Sequence, residues 1–229
     1  MDNALNPRTP LKIAVDNEHG ALRFTIVIIF IVGWFISFFI LNAAIPNEGL
    51  NLIAIIVSFA ITALFTQQIE KVLKKRWPSG RTVQIDQNTI KVVNKNGGQQ
   101  SIDGDKQVNV HLWRFAIKRR SRVPKGWLMI ACALEQDDAY LPVYTFMSPE
   151  QFDGLRNNTR FATLMSQKEA SKSTGGIGQT DLRMAGEQRR LHTAENARWM
   201  NGAEMTADDF QNFIKQLQNQ FPQWMPSVL

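Results

Sequence analysis

The chain of 229 residues has one cysteine, Cys132, so it can close no internal disulfide and can build no cysteine-based metal site, a usage that fits a reducing compartment. Histidine is scarce as well. His19, His111 and His192 lie far apart and form neither an i, i+4 ligand pair nor part of a Cys/His cluster, so they read as structural or surface residues. A phosphate-loop lysine and a serine nucleophile elbow are both lacking. Gly175-Gly-Ile-Gly178 falls short of the dinucleotide pattern and follows no strand. Asp103 with Asp105 and Asp137 with Asp138 sit in expected turns, and Asp208 with Asp209 at an expected helix N-terminus, where aspartate is locally favoured. The expectation is a non-enzymatic chain with no catalytic, cofactor-binding or metal site.

Charge is missing from two stretches, and these carry the strongest signal. The mean hydropathy of -0.20 describes neither the apolar region 24–73 nor the polar region 166–206. Residues 24–41 contain no charge, and 14 of the 18 are Phe, Ile, Val or Leu, enough to cross a bilayer core. At roughly -0.3 to -0.6 kcal/mol for each such residue near a helix centre, insertion is favoured by several kcal/mol. A cleaved signal peptide is the rival, but 22 residues precede the run, the run exceeds an ordinary h-region, and a second apolar run follows almost at once. That second run, 50–66, is also uncharged. Ile69, Val72 and Leu73 extend its face toward Lys71, Lys74, Lys75 and Trp77, which suit a membrane interface. Pro46-Asn-Glu-Gly49 supplies a tight turn between the two.

Lysine and arginine counts orient this hairpin. Arg8, Lys12 and Arg23 precede it, Lys71, Lys74, Lys75, Arg76 and Arg81 follow it, and the connecting loop has none, so both ends belong on the cytoplasmic side. Small residues mark the expected helix–helix seam: Gly33 and Ser37 on the first helix, Ala54, Ser58 and Thr62 on the second. A turn near 45–46 would set Ser37 level with Ala54 and Gly33 with Ser58.

Beyond residue 77 the period changes to that of strands. Val83 and Ile85, then residues 90–93, alternate around turns at 86–88 and 94–98. Ile102, Val108, Val110 and Leu112 continue the alternation, and a bulge then places Trp113, Phe115 and Ile117 on one face. Residues 127–134 form a near-continuous apolar strand, and 140–146 another after an acidic turn. Six or seven antiparallel strands are expected. Ser148-Pro-Glu-Gln151 opens a helix with a capping box.

The two N-terminal membrane helices, the basic stretch ending in Trp77-Pro-Ser-Gly-Arg81, the meander Thr82-Val-Gln-Ile-Asp86 and Thr89-Ile-Lys-Val-Val93, and the closing helix after Tyr144-Thr-Phe-Met-Ser148 resemble bacterial membrane proteins that carry a pleckstrin-homology-like (PH-like) domain. The resemblance covers residues 20–165, lies in layout, and shares no catalytic signature. It implies a membrane α-helical hairpin plus an α+β soluble domain, the latter a PH-like bent antiparallel barrel closed by a C-terminal helix and used for binding or assembly. It implies a bacterial inner or plasma membrane, and the tail after Met165 departs from it.

The expected organisation is a cytoplasmic N-terminal segment 1–22, the hairpin 23–76, the PH-like domain 77–165, a flexible and partly helical linker 166–205, and an amphipathic helix with its tail, 206–229. In that last helix Phe210, Phe213, Ile214, Leu217 and Phe221 follow helical spacing and require a partner surface, on the chain's own barrel or on another subunit. Lys118, Arg119, Arg120, Arg122 and Lys125 form the one basic constellation suited to anionic lipid headgroups, with a solvated loop as the plainer reading. Nucleic acid is not expected, because exposed aromatics are not interleaved with these charges. The function expected is a membrane-anchored binding or scaffolding module for assembly of a membrane protein complex, partnered by other membrane proteins or by further copies of itself. An accessory subunit of a larger complex is the alternative, and an enzyme with an unrecognised site the second.

The orientation has a direct check. In a Cys132→Ala background, Asn47→Cys should react with an impermeant thiol reagent added to intact cells and Ser173→Cys should not. The reverse pattern would overturn it.

Overall fold

The computed structural model describes residues 10–16, 19–45, 51–118, 123–155, 157–165 and 179–225. The chain forms two units. One is residues 16–79; the other joins the segment ending at Val15 to everything from Gly80 onward.

The first unit is a helical hairpin, α1 (Gly20–Ala44) and α2 (Leu52–Arg76), each 25 residues. Both helices are long and apolar enough to cross a membrane. Their outer faces expose Phe24, Ile31, Phe35, Phe39, Ile56, Leu64 and Phe65, while Ala54, Ser58, Thr62 and Thr66 are buried between them. This small-residue seam lets the backbones approach: a Cβ on Gly33 would lie 3.2 Å from Thr62 Cγ2, and Thr62 Oγ1 donates to Ser37 Oγ at 3.4 Å. Gly33 thus meets Thr62 one turn, and Ser37 the same residue about two turns, from the expected level, because α1 runs on to Ala44 and α2 begins only at Leu52. Asn51 caps α2 by accepting from Ala54 N at 3.0 Å and donates to Ile45 O at 3.1 Å, which ties the end of one helix to the start of the next. At the other end His19 caps α1 through Nδ1 (Leu22 N, 3.2 Å) and reaches Trp77 O through Nε2 at 3.2 Å. The turn at 46–49 lies outside the described residues.

The second unit is a mixed α+β domain. β1 (Leu11–Ala14), β2 (Thr82–Ile85), β3 (Thr89–Val93) and β4 (Gln99–Asp103) form an antiparallel sheet in that order. β1 lies ahead of the hairpin, within the stretch expected to be a separate N-terminal segment. It pairs Leu11 with Ile85 and Ile13 with Val83, and Val15 N donates to Arg81 O at 3.1 Å. Ile13 and Val15 are buried, so this alternation belongs to the domain core.

β5 (Asn109–Ala116), β6 (Leu128–Gln136) and β7 (Ala139–Met147) form a second, antiparallel sheet. Two short parallel strands flank it, β8 (Ala162–Thr163) on β5 and β9 (Ala203–Glu204) on β7. The β5–β6 register is unbroken from Asn109↔Glu135 to Ala116↔Leu128, so the expected bulge is absent. Leu112 and Trp113 are both apolar because both faces of this sheet are covered.

On the inner face Ile130, Cys132, Leu134, Leu141 and Val143 pack with Ile85, Ile90 and Ile102 of the first sheet. Over this core lies α5 (Ala207–Gln220), preceded by α3 (Pro149–Asp153, with the Ser148/Gln151 capping box) and α4 (Gln179–Asn201). Phe210, Phe213, Ile214 and Leu217 of α5, with Phe221, are buried in the chain's own domain. On the outer face Leu191 and Ala194 of α4 meet Trp113, Met129, Ala131 and Ala133. The stretch expected to be largely linker therefore contains a packed helix. Its apolar stripe is thin because the strand below presents alanines, and the helix sits close. Residues 166–178 lie outside the described residues.

No closed barrel is found among the described residues: the two sheets are hydrogen-bonded separately. Side-chain amides bridge them instead. Gln136 accepts from Asp103 N and donates to Asp103 O, both at 2.9 Å, as a neighbouring strand would, and Gln100 Nε2 donates to Tyr140 O.

β1 is integral to the domain on this packing, so Ile13→Ala should destabilise it by about 2–4 kcal/mol. Trp199→Ala, at a residue 81% exposed, should stay within about 0.5 kcal/mol. Denaturant unfolding of the full chain in detergent, followed by near-UV circular dichroism, compares them; equal effects would remove β1 from the core.

Candidate functional site

The edge of β5 is where the sheet is left incomplete. Leu164 N donates to Arg114 O at 2.9 Å, so Arg114 turns its peptide groups toward β8. Strand alternation then points the N–H and C=O groups of Val110 and Leu112 to the same edge, while Asn109, His111 and Trp113 bond β6. β8 pairs only with Trp113 and Arg114. The parallel pairing of Trp113 with Ala162 makes the Leu112 carbonyl the last group on this edge that β8 bonds, and among the described residues no strand pairs with Val110 N–H, Val110 C=O or Leu112 N–H.

A groove of about 680 Å³ runs along this open edge. Val108 and Trp224 line its inner side, Arg160 and Ala162 the end where β8 begins, and Arg183, Glu187 and Arg190 of α4 its outer side. Trp224 is held by stacking on Phe221, ring centroids 4.1 Å apart and nearly parallel. Three arginines against one glutamate make the groove basic.

α4 is fixed over the sheet by a polar anchor set into its apolar stripe. Trp113 Nε1 donates to Glu195 Oε2 at 2.9 Å, and Arg198 grips the same carboxylate through Nε (2.8 Å) and a terminal nitrogen (2.6 Å). The Arg198 guanidinium also lies 4.8 Å from the centroid of Tyr144. At its C-terminal end Arg81 donates to the carbonyls of Asn201 (2.5 Å) and Gly202 (2.9 Å). Gly202 admits no side chain, since a Cβ there would stand 2.4 Å from Arg198 O. Gln188 bonds Met165 N and Thr163 O, pinning the strand beside the groove. These anchors run from Gln188 to Gly202, so Arg190 sits within the clamped part of α4, and Glu187 and Arg183 lie up to about a turn and a half ahead of it on the same helix.

Beside the groove, Glu135 gathers three donors: Tyr140 Oη at 2.6 Å, His111 Nε2 at 2.7 Å and Asn109 Nδ2 at 3.3 Å. Partial desolvation pushes its carboxyl up, but the donors together outweigh this and hold it below the usual carboxylate range. Tyr140 is pushed up to about 12 by desolvation and by the carboxylate it serves. Glu135 locks β5, β6 and β7 to one another here. Burial raises the Cys132 thiol well above its ordinary range, as expected of an inert core cysteine. No cluster of three or more metal-holding side chains occurs among the described residues.

The residues singled out from sequence are distributed as follows. Gly33, Ser37, Ala54, Ser58 and Thr62 come together in the hairpin, and Phe210, Phe213, Ile214, Leu217 and Phe221 meet in the domain core. Lys118 and Lys125 are exposed, whereas Arg119, Arg120 and Arg122 lie outside the described residues. The groove combines residues 108–112, 160–162, 183–191 and 224, and no local motif joins them. The chain matches no family model, no curated protein and no solved structure at a significant level.

Because the Glu135 carboxyl is depressed in the fold, its contribution to stability is present above the ordinary value of 4.5 and is lost as pH falls through the native value. Tyr140→Phe removes one donor and moves the native value back toward 4.5. The variant should be less stable by about 1 kcal/mol at pH 7, and the gap should narrow as the pH falls from 4.5 to 3. A gap independent of pH in chemical unfolding would contradict this assignment.

Proposed function

We propose that this chain is a non-enzymatic binding module anchored in the cytoplasmic membrane of a bacterium, whose soluble domain docks another membrane protein during assembly of a complex. The observation that carries the reading is the pairing of β1 with β2. The chain leaves the sheet at Val15 and rejoins it at Arg81, so an anchor inserted between them has both feet on one side. Basic residues on both flanks and none in the connecting loop make that side the cytoplasmic one.

The PH-like reading draws support from strand order. A four-stranded antiparallel sheet is followed by three longer antiparallel strands and, last, by a helix over the core between them. Binding draws support from the basic groove beside an open strand edge. The anchor confines the domain to the membrane surface, which raises its effective concentration toward other membrane proteins.

Tagged full-length chain extracted from its native membrane in mild detergent should carry a second membrane protein with it. Arg183→Glu with Arg190→Glu should lower that recovery at least tenfold while leaving thermal stability unchanged, since both side chains are exposed. Recovery of the chain alone, or recovery unaffected by the double reversal, would overturn the reading.

A further inference from the structure

We infer that the β5 groove takes a short extended segment of a partner protein, added as a strand to the open edge and patterned with alternating acidic and apolar side chains; this rests on the reading of the groove as a docking surface. Val110 supplies an N–H and a C=O and Leu112 an N–H facing the open edge, and β8 occupies the edge from the Leu112 carbonyl onward. The vacancy therefore fits about three residues, roughly 10 Å of strand. Side chains of an added strand alternate between the two faces. One set meets Val108 and Trp224 on the inner side; the other meets Arg183 and Arg190 of α4 on the outer side. Apolar residues suit the first and carboxylates the second, while main-chain hydrogen bonds provide the common attachment.

Charge selects this occupant over two others. A second copy paired edge to edge would bring the arginine-rich sides of two grooves together, and like charges oppose that contact. The chain's own segment 166–178 carries Lys168 and Lys172 against Glu169, the wrong sign for the site.

The test uses the full-length chain in detergent and capped six-residue peptides of alternating aspartate and valine. The peptide should bind at least tenfold tighter than its lysine-for-aspartate counterpart, and Arg183→Glu with Arg190→Glu should invert the preference. It should also slow hydrogen exchange at the Val110 and Leu112 amides. Two N-methylated peptides give the sharpest reading. Valines facing the same side as Val110 and Leu112 bond β5 directly in an antiparallel strand, whereas the aspartates do so in a parallel one. Methylating one set of amides should weaken binding at least tenfold and methylating the other should not, and the sensitive set reports the direction of the added strand. Equal affinity for the two methylated peptides, no preference over the lysine peptide, or no binding overturns strand addition. If strand addition fails while the charge reversal still releases the co-purifying protein, the groove remains a docking surface of another kind; if that protein is retained too, both readings fall.

Discussion

Two hydrogen bonds hold the feet of the hairpin, and the order of the rest of the chain depends on them. His19 Nε2 meets Trp77 O at the base of the helices, and Val15 N meets Arg81 O at the edge of the sheet, four residues further out on each side. Between Val15 and Arg81 run 65 residues. A flexible loop of that length would cost about 4 kcal/mol to close. A formed hairpin removes most of that penalty, because its first and last residues already touch through His19 and Trp77. β1 can then pair with β2 as though the two were joined by a short turn. This makes the hairpin an insertion within the domain, and it explains why Ile13 and Val15, far from their partners in sequence, are core residues.

The five-stranded sheet follows from burial on both faces. β6, Leu128–Gln136, has no solvent-facing side over most of its length, and its near-continuous apolar sequence is what such a position requires. Inner residues Ile130, Cys132 and Leu134 fill the space between sheets under α5, while outer residues Met129, Ala131 and Ala133 accept α4. Small outer residues leave little apolar area for α4 to bury. The Trp113–Glu195–Arg198 contacts make up the difference with directed bonds, and these hold the helix in one register over the strands. Elsewhere Gln136 and Gln188 use side-chain amides as strand surrogates where the backbone ladders stop. Separate sheets are thereby joined without closing a barrel.

What could be read from sequence was whatever is encoded locally. The uncharged run 24–41, the Ser148 capping box and the spacing of Phe210, Phe213, Ile214 and Leu217 each carry their signal within a few turns. β1 was illegible because four residues with one buried position, Ile13, gain meaning only from a partner 70 residues away. α4 was legible only as a helical part of a linker, and its packing on the sheet was not, because Leu191 and Ala194 are a weak stripe in a polar segment. A bulge seemed necessary at Leu112–Trp113 only on the assumption of one wet face. The groove could not be read at all, since Val108, Arg160, Arg183 and Trp224 belong to four separate elements. One clue was present: β5 is apolar on both faces, so whatever covers its two sides must come from elsewhere in the chain.

An open strand edge is ordinarily a hazard, because its unpaired groups can template pairing with any extended chain. Here the hazard is limited by dimensions and charge rather than removed. β8 covers the edge from the Leu112 carbonyl onward, so among the described residues three peptide groups of Val110 and Leu112 stand open, too few for a long intermolecular ladder. Arg183 and Arg190 line the groove beside these groups, and on the proposed reading their like charge disfavours a second copy approaching in the same way. A strand that ran one residue further at β8, or a neutral α4, would close or blunt the site at little structural expense. On the proposed reading the short β8 and the arginines of α4 act together: the first sets how much edge is open, and the second sets which chains can approach it.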